Sequence, residues 1–400
     1  MRRYYSGPDV HRAQSIAELA VMARRRLPHF AWEYLEGGAE EEWTLRRNRQ
    51  AFADIALLPR TLVPCSATQT RCSLFGQDLP LPMAIGPTGY NAMLYRDADI
   101  QLARAATARG LPFTLSTVST SSLEQLVAAV PEVNLWFQLY CLRDPSVREG
   151  LLQRAHAVGC KTLLLTSDAV LLGNREWDRR NSVRPRQLSL RNKLDVLRHP
   201  RWMAQALWPH GLPNLGNIER YLPTEQRTIE GAAQFIGSQM DSGLDWDALA
   251  RLRERWPHRL LLKGVLHPAD AEKAVALGLD GLVVSNHGGR QLDGVPASLD
   301  CLPAVAAVAK GKLALLLDSG VRRGTDILKA CALGADAVLL GRSTLYGVAI
   351  GGQAGAGHAL DLLAQELRLA LSLLGTPDLK QLDCRALVTT SSSFPDRELS

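Results

Sequence analysis

No run of about 18 apolar residues occurs in the 400-residue chain, which excludes a membrane-spanning helix by the usual length criterion. The N-terminus, MRRYYSGPDVHRAQS, is basic but has no apolar core of signal-peptide length, so export by that route is not expected. Cysteine is sparse. The seven present (Cys65, Cys72, Cys141, Cys160, Cys301, Cys331 and Cys384) are odd in number and widely spaced, with no CxxC or CxxCH. That excludes a disulfide framework, a zinc site and attached c-type haem, and it fits a reducing compartment. There is no repeat of solenoid length and no low-complexity tract; only the final TTSSSFPDRELS reads as frayed.

What is present is a core. Hydrophobic residues make up 46% of the chain, and short apolar runs recur with helical patterns between them. The runs are LPMAIG (81–86), LPFTLS (111–116), NLWFQLY (134–140), KTLLLT (161–166), RLLLKG (259–264), GLVVS (281–285), KLALLLD (312–318) and DAVLLG (336–341). Intervening segments such as DADIQLARAATARG and PADAEKAVALGLDG have amphipathic periodicity and end at glycine, as a helix C-cap does. Continuously apolar strands alternating with helices indicate a parallel sheet covered by helices, and eight of them close a ring. The expected fold is an α/β TIM (β/α)8 barrel over 81–375. It is preceded by an N-terminal helical extension with a barrel-capping hairpin (1–80), interrupted after strand 4 by an insertion (173–246), and followed by a C-terminal tail (376–400).

Closure gathers the polar strand ends on one face, where barrel enzymes hold their sites. Those ends are Pro87, Thr88 and Gly89; Ser116; Gln138 and Tyr140; Thr166 and Asp168; Lys263; Ser285, Asn286, His287 and Arg290; Asp318 to Arg322; and Gly341 with Arg342. Glycine beside arginine at the last two ends suits a phosphate, with Gly320 and Gly341 admitting backbone N–H groups and Arg322 and Arg342 adding charge. Lys263 must pair with an anion or lose its proton. It stabilises negative charge on a reduced flavin, forms a Schiff base, or makes an inter-strand ion pair. His287, followed by two glycines that leave room for substrate, is the expected base, and Asp168 the carboxylate that would stabilise its imidazolium. Arg290 and Arg175 are forks suited to a carboxylate, with Tyr140 and Tyr34 adding hydroxyls; Tyr34 taken alone reads as core packing. No cluster suggests a metal.

At SNHGGRQLDG, together with YLEGGAEEE, IGPTGYN, WFQLY, LLLTSD and DSGVRRGTDILKACALG, the chain resembles the FMN-dependent 2-hydroxy-acid dehydrogenase/oxidase family over roughly residues 20–375. Within it, GPTGYN, HPRW, HGLPNLGN and SQMDSGLDWDALARLRERWPH are similar to the membrane-associated (S)-mandelate dehydrogenases. The resemblance implies that His287 is the base and Asp168 orients it. Arg290, Arg175 and Tyr34 hold the substrate carboxylate, and Tyr140 lies at the substrate hydroxyl. FMN would be contacted by Pro87, Thr88, Gly89, Ser116, Gln138, Thr166, Lys263 and Ser285, and its phosphate by Asp318, Ser319, Gly320, Val321, Arg322, Gly341 and Arg342. The implied reaction converts an (S)-2-hydroxy acid, of the aromatic mandelate type, to the 2-keto acid. One base serves both proton abstraction from Cα and hydride transfer with loss of the hydroxyl proton. Gly89 stands where many members have alanine and leans the reading toward a dehydrogenase rather than an oxidase. Lactate as substrate, or O2 as acceptor, is the alternative within the family; a phosphosugar lyase or isomerase using Lys263 is the alternative outside it.

The formal charge is +6, and Arg175 to Arg201 alone carries nine basic residues against three acidic ones. Beside it, HPRWMAQALWPHGLP offers Trp202, Met203, Leu207 and Trp208. Basic residues next to tryptophan suit an anionic lipid surface, so peripheral binding through about 180–215 is expected, on the cytoplasmic side of the inner membrane, with electrons passed to a quinone. No nucleic-acid motif accompanies the charge. The family resemblance also implies a homotetramer.

Overall fold

The computed structural model of the chain describes residues 4–184, 187–208, 211 and 214–389. Positions 185–186, 209–210 and 212–213 of the expected membrane segment, and 390–400 of the expected tail, lie outside the described residues. Eight parallel strands close a barrel: β1 (Met83–Ile85), β2 (Phe113–Ser116), β3 (Leu135–Tyr140), β4 (Thr162–Thr166), β5 (Arg259–Val265), β6 (Gly281–Val284), β7 (Ala314–Leu317) and β8 (Ala337–Leu340). Each pairs with its sequence neighbour, and β8 meets β1 through Leu339 and Ala84. Seven fall within the apolar runs read from sequence, and β5 runs one residue past its own, to Val265. They are buried almost throughout because helices cover one face and barrel side chains the other.

The N-terminal extension supplies three helices, α1 (Ile16–Arg26), α2 (His29–Glu36) and α3 (Trp43–Ala53). Ser15 caps α1 by accepting from the Glu18 N–H at 3.2 Å, and Ile16, Leu19, Met22 and Ala23 give it one buried face. The expected hairpin is present as Cys72–Leu74 and Gln77–Leu79, and its Phe75 meets barrel residue Trp136 edge-on at 5.9 Å. The final barrel helix, Arg342–Leu374, ends at Gly375 in the left-handed conformation (φ 71°). Beyond it the chain returns to the N-terminal segment: Leu387–Thr389 pairs antiparallel with Ile55–Leu57.

The insertion is folded over its described residues. It contains helix Glu176–Arg180, a hairpin (Ser182–Arg184 with Gln187–Leu188), helix Leu190–Leu197, the short helix Pro200–Trp202 leading into a π-helical turn (Met203–Leu207), and helix Ile229–Gln239. One expectation here is corrected. Trp202 is 1% exposed, donates its indole N–H to the Met93 carbonyl at 2.9 Å and packs edge-on against Phe30, so it belongs to the core and not to a lipid-facing surface. Met203 and Leu207 pack against the same core, whereas Trp208 is 73% exposed.

Candidate active site

The mouth of the barrel is organised around the turn after β6. His287 has φ 58°, and Gly288 and Gly289 follow at 68° and 73°, three left-handed residues in succession. The first is unusual for a residue with a side chain and is held by bonds on both sides. Ser285 Oγ accepts from the His287 N–H at 3.0 Å, and Ser319 Oγ accepts from the Gly288 N–H at 3.0 Å. Gly289 has a role the sequence did not suggest. A Cβ at Gly289 would lie 2.7 Å from the backbone nitrogen of Leu45 on α3, so the position is closed by the N-terminal segment and is not clearance for substrate.

His287 Nδ1 lies 2.9 Å from Asp168 Oδ1. This bond occupies one ring nitrogen and leaves Nε2 as the one for a ligand. Burial lowers the imidazole pKa, and Asp168, which acts to raise it, only partly offsets that; the net shift is downward, which favours the neutral ring. For Asp168, burial opposes ionisation, but His287 and then Lys263 outweigh it and hold its pKa below the ordinary value. The backbone of Asp168 reaches this position because β5 bulges at Gly264 (φ 107°), where any Cβ would stand 2.6 Å from that of Asp168.

Across the mouth, neighbouring strands carry a continuous polar strip. Ser116 Oγ donates to Gln138 Oε1 at 2.8 Å, and Gln138 Nε2 donates to Thr166 Oγ1 at 2.9 Å. Lys263 Nζ follows on β5, 2.9 Å from Ser285 Oγ and 3.0 Å from Asp318 Oδ2. Burial pulls the Lys263 pKa down, but Asp318 and then Asp168 outweigh it and the net shift is upward. It is therefore an ammonium, not the free amine a Schiff base requires. Asp318 faces this cation, and the Ser319 hydroxyl donates to its other oxygen at 2.8 Å.

Arginines crowd the remaining wall. Arg290 Nη1 donates to the carbonyls of Tyr34 (2.8 Å) and Gly37 (2.6 Å), its guanidinium sits 5.0 Å from the Tyr34 ring centre, and the nearest ion pair is a 3.9 Å approach to Asp178. Burial first, and Arg175 next, push its pKa down to about 9. Arg342 donates to three carbonyls, those of Leu35, Gly37 and Gly288, and is lowered by burial and by Arg322 and Arg175 against the opposing pull of Tyr346 and Glu36. Arg175 rests on the Arg290 carbonyl (3.2 Å) and Gln291 Oε1 (3.3 Å). Arg322 donates to the Val321 carbonyl and Tyr346 hydroxyl. Buried cations whose partners are mostly carbonyls call for anions, and the two ends of this cluster suit a phosphate and a carboxylate.

The N–H groups of Arg322 and Arg323 are taken by Asp326 Oδ2 at 2.8 and 3.0 Å, so the helix Gly324–Ala332 presents its N-terminus to its own carboxylate. The turn Ser319–Gly320 and the start of helix Arg342–Leu374 remain for a phosphate. Tyr34 donates to the Gly89 carbonyl at 3.3 Å and meets Tyr90 edge-on, and burial pushes the Tyr140 phenol up to about 12, so both hydroxyls stay protonated. Pro87, Thr88 and Gly89 follow β1 at the same mouth, with Thr88 Oγ1 fixed by Asn91 at 2.8 Å. Gln291 escaped the sequence reading: it bonds the Asp168 and Leu171 carbonyls at 3.1 and 2.8 Å and accepts from the Gly173 N–H, tying the β4 and β6 loops together. Glutamine after HGGR carries no distinctive chemical signal.

Comparison with known proteins places the chain in a family. A family model described as FMN-dependent dehydrogenase matches residues 23–389. The chain is 44% identical over 374 residues to an L-lactate dehydrogenase of Chromohalobacter salexigens, covering 93% of this chain and 94% of that one. It is 42% identical over 372 residues to an L-lactate dehydrogenase of Alcaligenes faecalis (92% and 96%). Among solved structures, the monotopic membrane protein (S)-mandelate dehydrogenase superposes with a TM-score of 0.90 at 39% identity, covering 94% of this chain and all of that one. A mandelate oxidase superposes at 0.78 and 33% identity (94% and 97%). Matched across nearly its whole length by that model and by these relatives, the chain belongs to the FMN-dependent dehydrogenase family, and its cofactor is FMN.

Proposed function

We propose that this protein oxidises an (S)-2-hydroxy acid to the 2-keto acid. FMN, when bound, would supply the acceptor for the two electrons and for the second hydrogen removed from the substrate. His287 takes the departing proton on Nε2, and Asp168, bonded to Nδ1, holds the ring and stabilises the imidazolium. Arg290 and Arg175 receive the substrate carboxylate with Tyr34, and Tyr140 orients the hydroxyl. Gln138, Thr166, Ser116, Ser285 and Pro87 to Gly89 bind the flavin ring, and Lys263 offsets negative charge there. Val321, Ser319, Gly320, Arg322, Gly341 and Arg342 hold the phosphate end, with Asp318 anchoring Lys263. The observation that carries this reading is the 2.9 Å His287–Asp168 pair beside the under-neutralised Arg290.

An aromatic substrate of the mandelate type is the first reading, supported by the 0.90 structural likeness; lactate is the second, supported by relatives at 44% identity. Anaerobic bleaching of the visible flavin spectrum by a panel of 2-hydroxy acids separates them. Bleaching by mandelate and not lactate supports the first, the reverse supports the second, and bleaching by neither overturns both.

The acceptor we propose is a membrane quinone, reached by peripheral binding at the cytoplasmic face. Helix Leu190–Leu197 supports this: Leu190, Leu194 and Leu197 share one face and are each more than half exposed, with Arg191, Lys193 and Arg198 exposed around them. Exposed Trp208 extends the surface, and Leu171 and Leu172 lie exposed at the loop that Gln291 ties to the site. No helix among the described residues is long and apolar enough to cross a membrane. Exposed Leu369 and Leu373, one turn apart, support self-association as a tetramer, which light scattering tests.

A further inference from the structure

Two asparagines join the N-terminal segment to the histidine turn. Asn48, on α3, donates from Nδ2 to Asn286 Oδ1 at 2.9 Å, and Asn286 donates from Nδ2 to Asn48 Oδ1 at 2.7 Å. They are 2% and 4% exposed. Asn286 Oδ1 also accepts from the Gly289 N–H at 3.2 Å, and its Nδ2 also donates to the Pro296 carbonyl at 3.1 Å. A primary amide has two donors and two acceptor sites, so the Asn286 side chain is fully used. It brackets a turn whose first residue, His287, sits at φ 58°, a conformation that persists only where its surroundings over-determine it. The same stretch of α3 reaches the neighbouring turn, where Arg49 donates to the Gly320 carbonyl and pairs with Asp326 at 2.8 Å.

We propose that Asn48 is a positioning residue for the oxidation: through the reciprocal amide pair with Asn286 it holds the His287 turn left-handed, keeping the imidazole aligned with Asp168 and with the substrate. The inference rests on His287 being the base. It makes a helix outside the barrel part of the reaction machinery. It also explains why an amide is needed at 48, since each partner must both give and take a hydrogen; aspartate only accepts, and a shorter hydroxyl cannot span the gap.

The test uses the FMN-loaded enzymes Asn48→Asp and Asn48→Ser, with His287→Ala in parallel. Flavin reduction is followed anaerobically per bound FMN, with the 2-hydroxy acid that bleaches the parent enzyme. Loss of alignment lowers the limiting rate about 10- to 100-fold with half-saturation changed less than about threefold, and Asn48→Ser loses less than Asn48→Asp. A limiting rate equal to the parent's in both Asn48 variants, while His287→Ala is inert, overturns this inference alone. Failure of both Asn48 variants to accumulate as folded protein also overturns it, because the pair then serves stability. Near-parental reduction by His287→Ala removes the base assignment and this inference with it.

Discussion

Lys263 Nζ and Asp318 Oδ2 stand 3.0 Å apart at the ends of β5 and β7, with Ser285, just past the intervening β6, completing the contact. Both side chains are largely buried, and Asp318 is the main counter-charge that keeps Lys263 cationic there. Lys263→Met leaves Asp318 as an uncompensated carboxylate and is expected to cost about 3–5 kcal/mol of stability. Denaturant unfolding measures it; a loss below about 1 kcal/mol would mean that the pair is solvated and not buried.

His287→Ala is expected to fold and to keep its FMN, since the ring's bond is to Asp168 and the backbone bonds of the turn remain. Flavin reduction by the 2-hydroxy acid should fall by about 10²–10⁴. Rapid-mixing absorbance reads the rate, and a value close to the parent's would take histidine out of the chemistry.

The pH profile has a definite sign. Burial holds the His287 pKa below 6.5, so the base is already free at neutral pH, and kcat/KM should rise from acid to a plateau with its midpoint below 6.5. Asp168 acts to raise that pKa. Asp168→Asn should therefore move the midpoint further down, and it should lower the plateau about 10- to 100-fold because the imidazolium loses its counter-charge. A midpoint that moved upward would contradict the arrangement.

On helix Leu190–Leu197, the triple change Leu190→Ser, Leu194→Ser, Leu197→Ser should release the enzyme from vesicles containing anionic lipid while leaving flavin reduction intact. Removing three exposed leucines from an interface weakens binding by at least about tenfold. Trp202→Ser is expected to act otherwise, costing about 3–5 kcal/mol of stability, because that side chain lies in the core. Co-sedimentation and unfolding curves separate the two; retention of the triple variant on vesicles would remove this helix from the interface.

Much of the barrel was legible because a strand buried on both faces must be apolar throughout, and runs such as GLVVS and KTLLLT admit few other readings. The site was legible where chemistry is costly to bury: Lys263, His287 and Arg290 at the ends of such runs are conspicuous. Two tryptophans of the insertion, Trp202 and Trp208, were not separable in this way. Trp202 and Trp208 sit in the same stretch, and only the fold sends the first toward Phe30 and the Met93 carbonyl and leaves the second in solvent. The leucine stripe of 190–197 is hidden within the basic stretch from Arg175 to Arg201, and its spacing matters only once the helix is known to have an unpartnered face.

From the order of residues alone came the eight-strand count, the strand ends that bear functional groups, and the identity of the expected base, because period and polarity are local properties of the chain. Which groups touch was decided in three dimensions. Asp168 meets His287 from 119 positions away, and Asn48 meets Asn286 from 238. Such pairings depend on ring closure and on the N-terminal helices folding back over the mouth, and no local pattern encodes the distance between two loops.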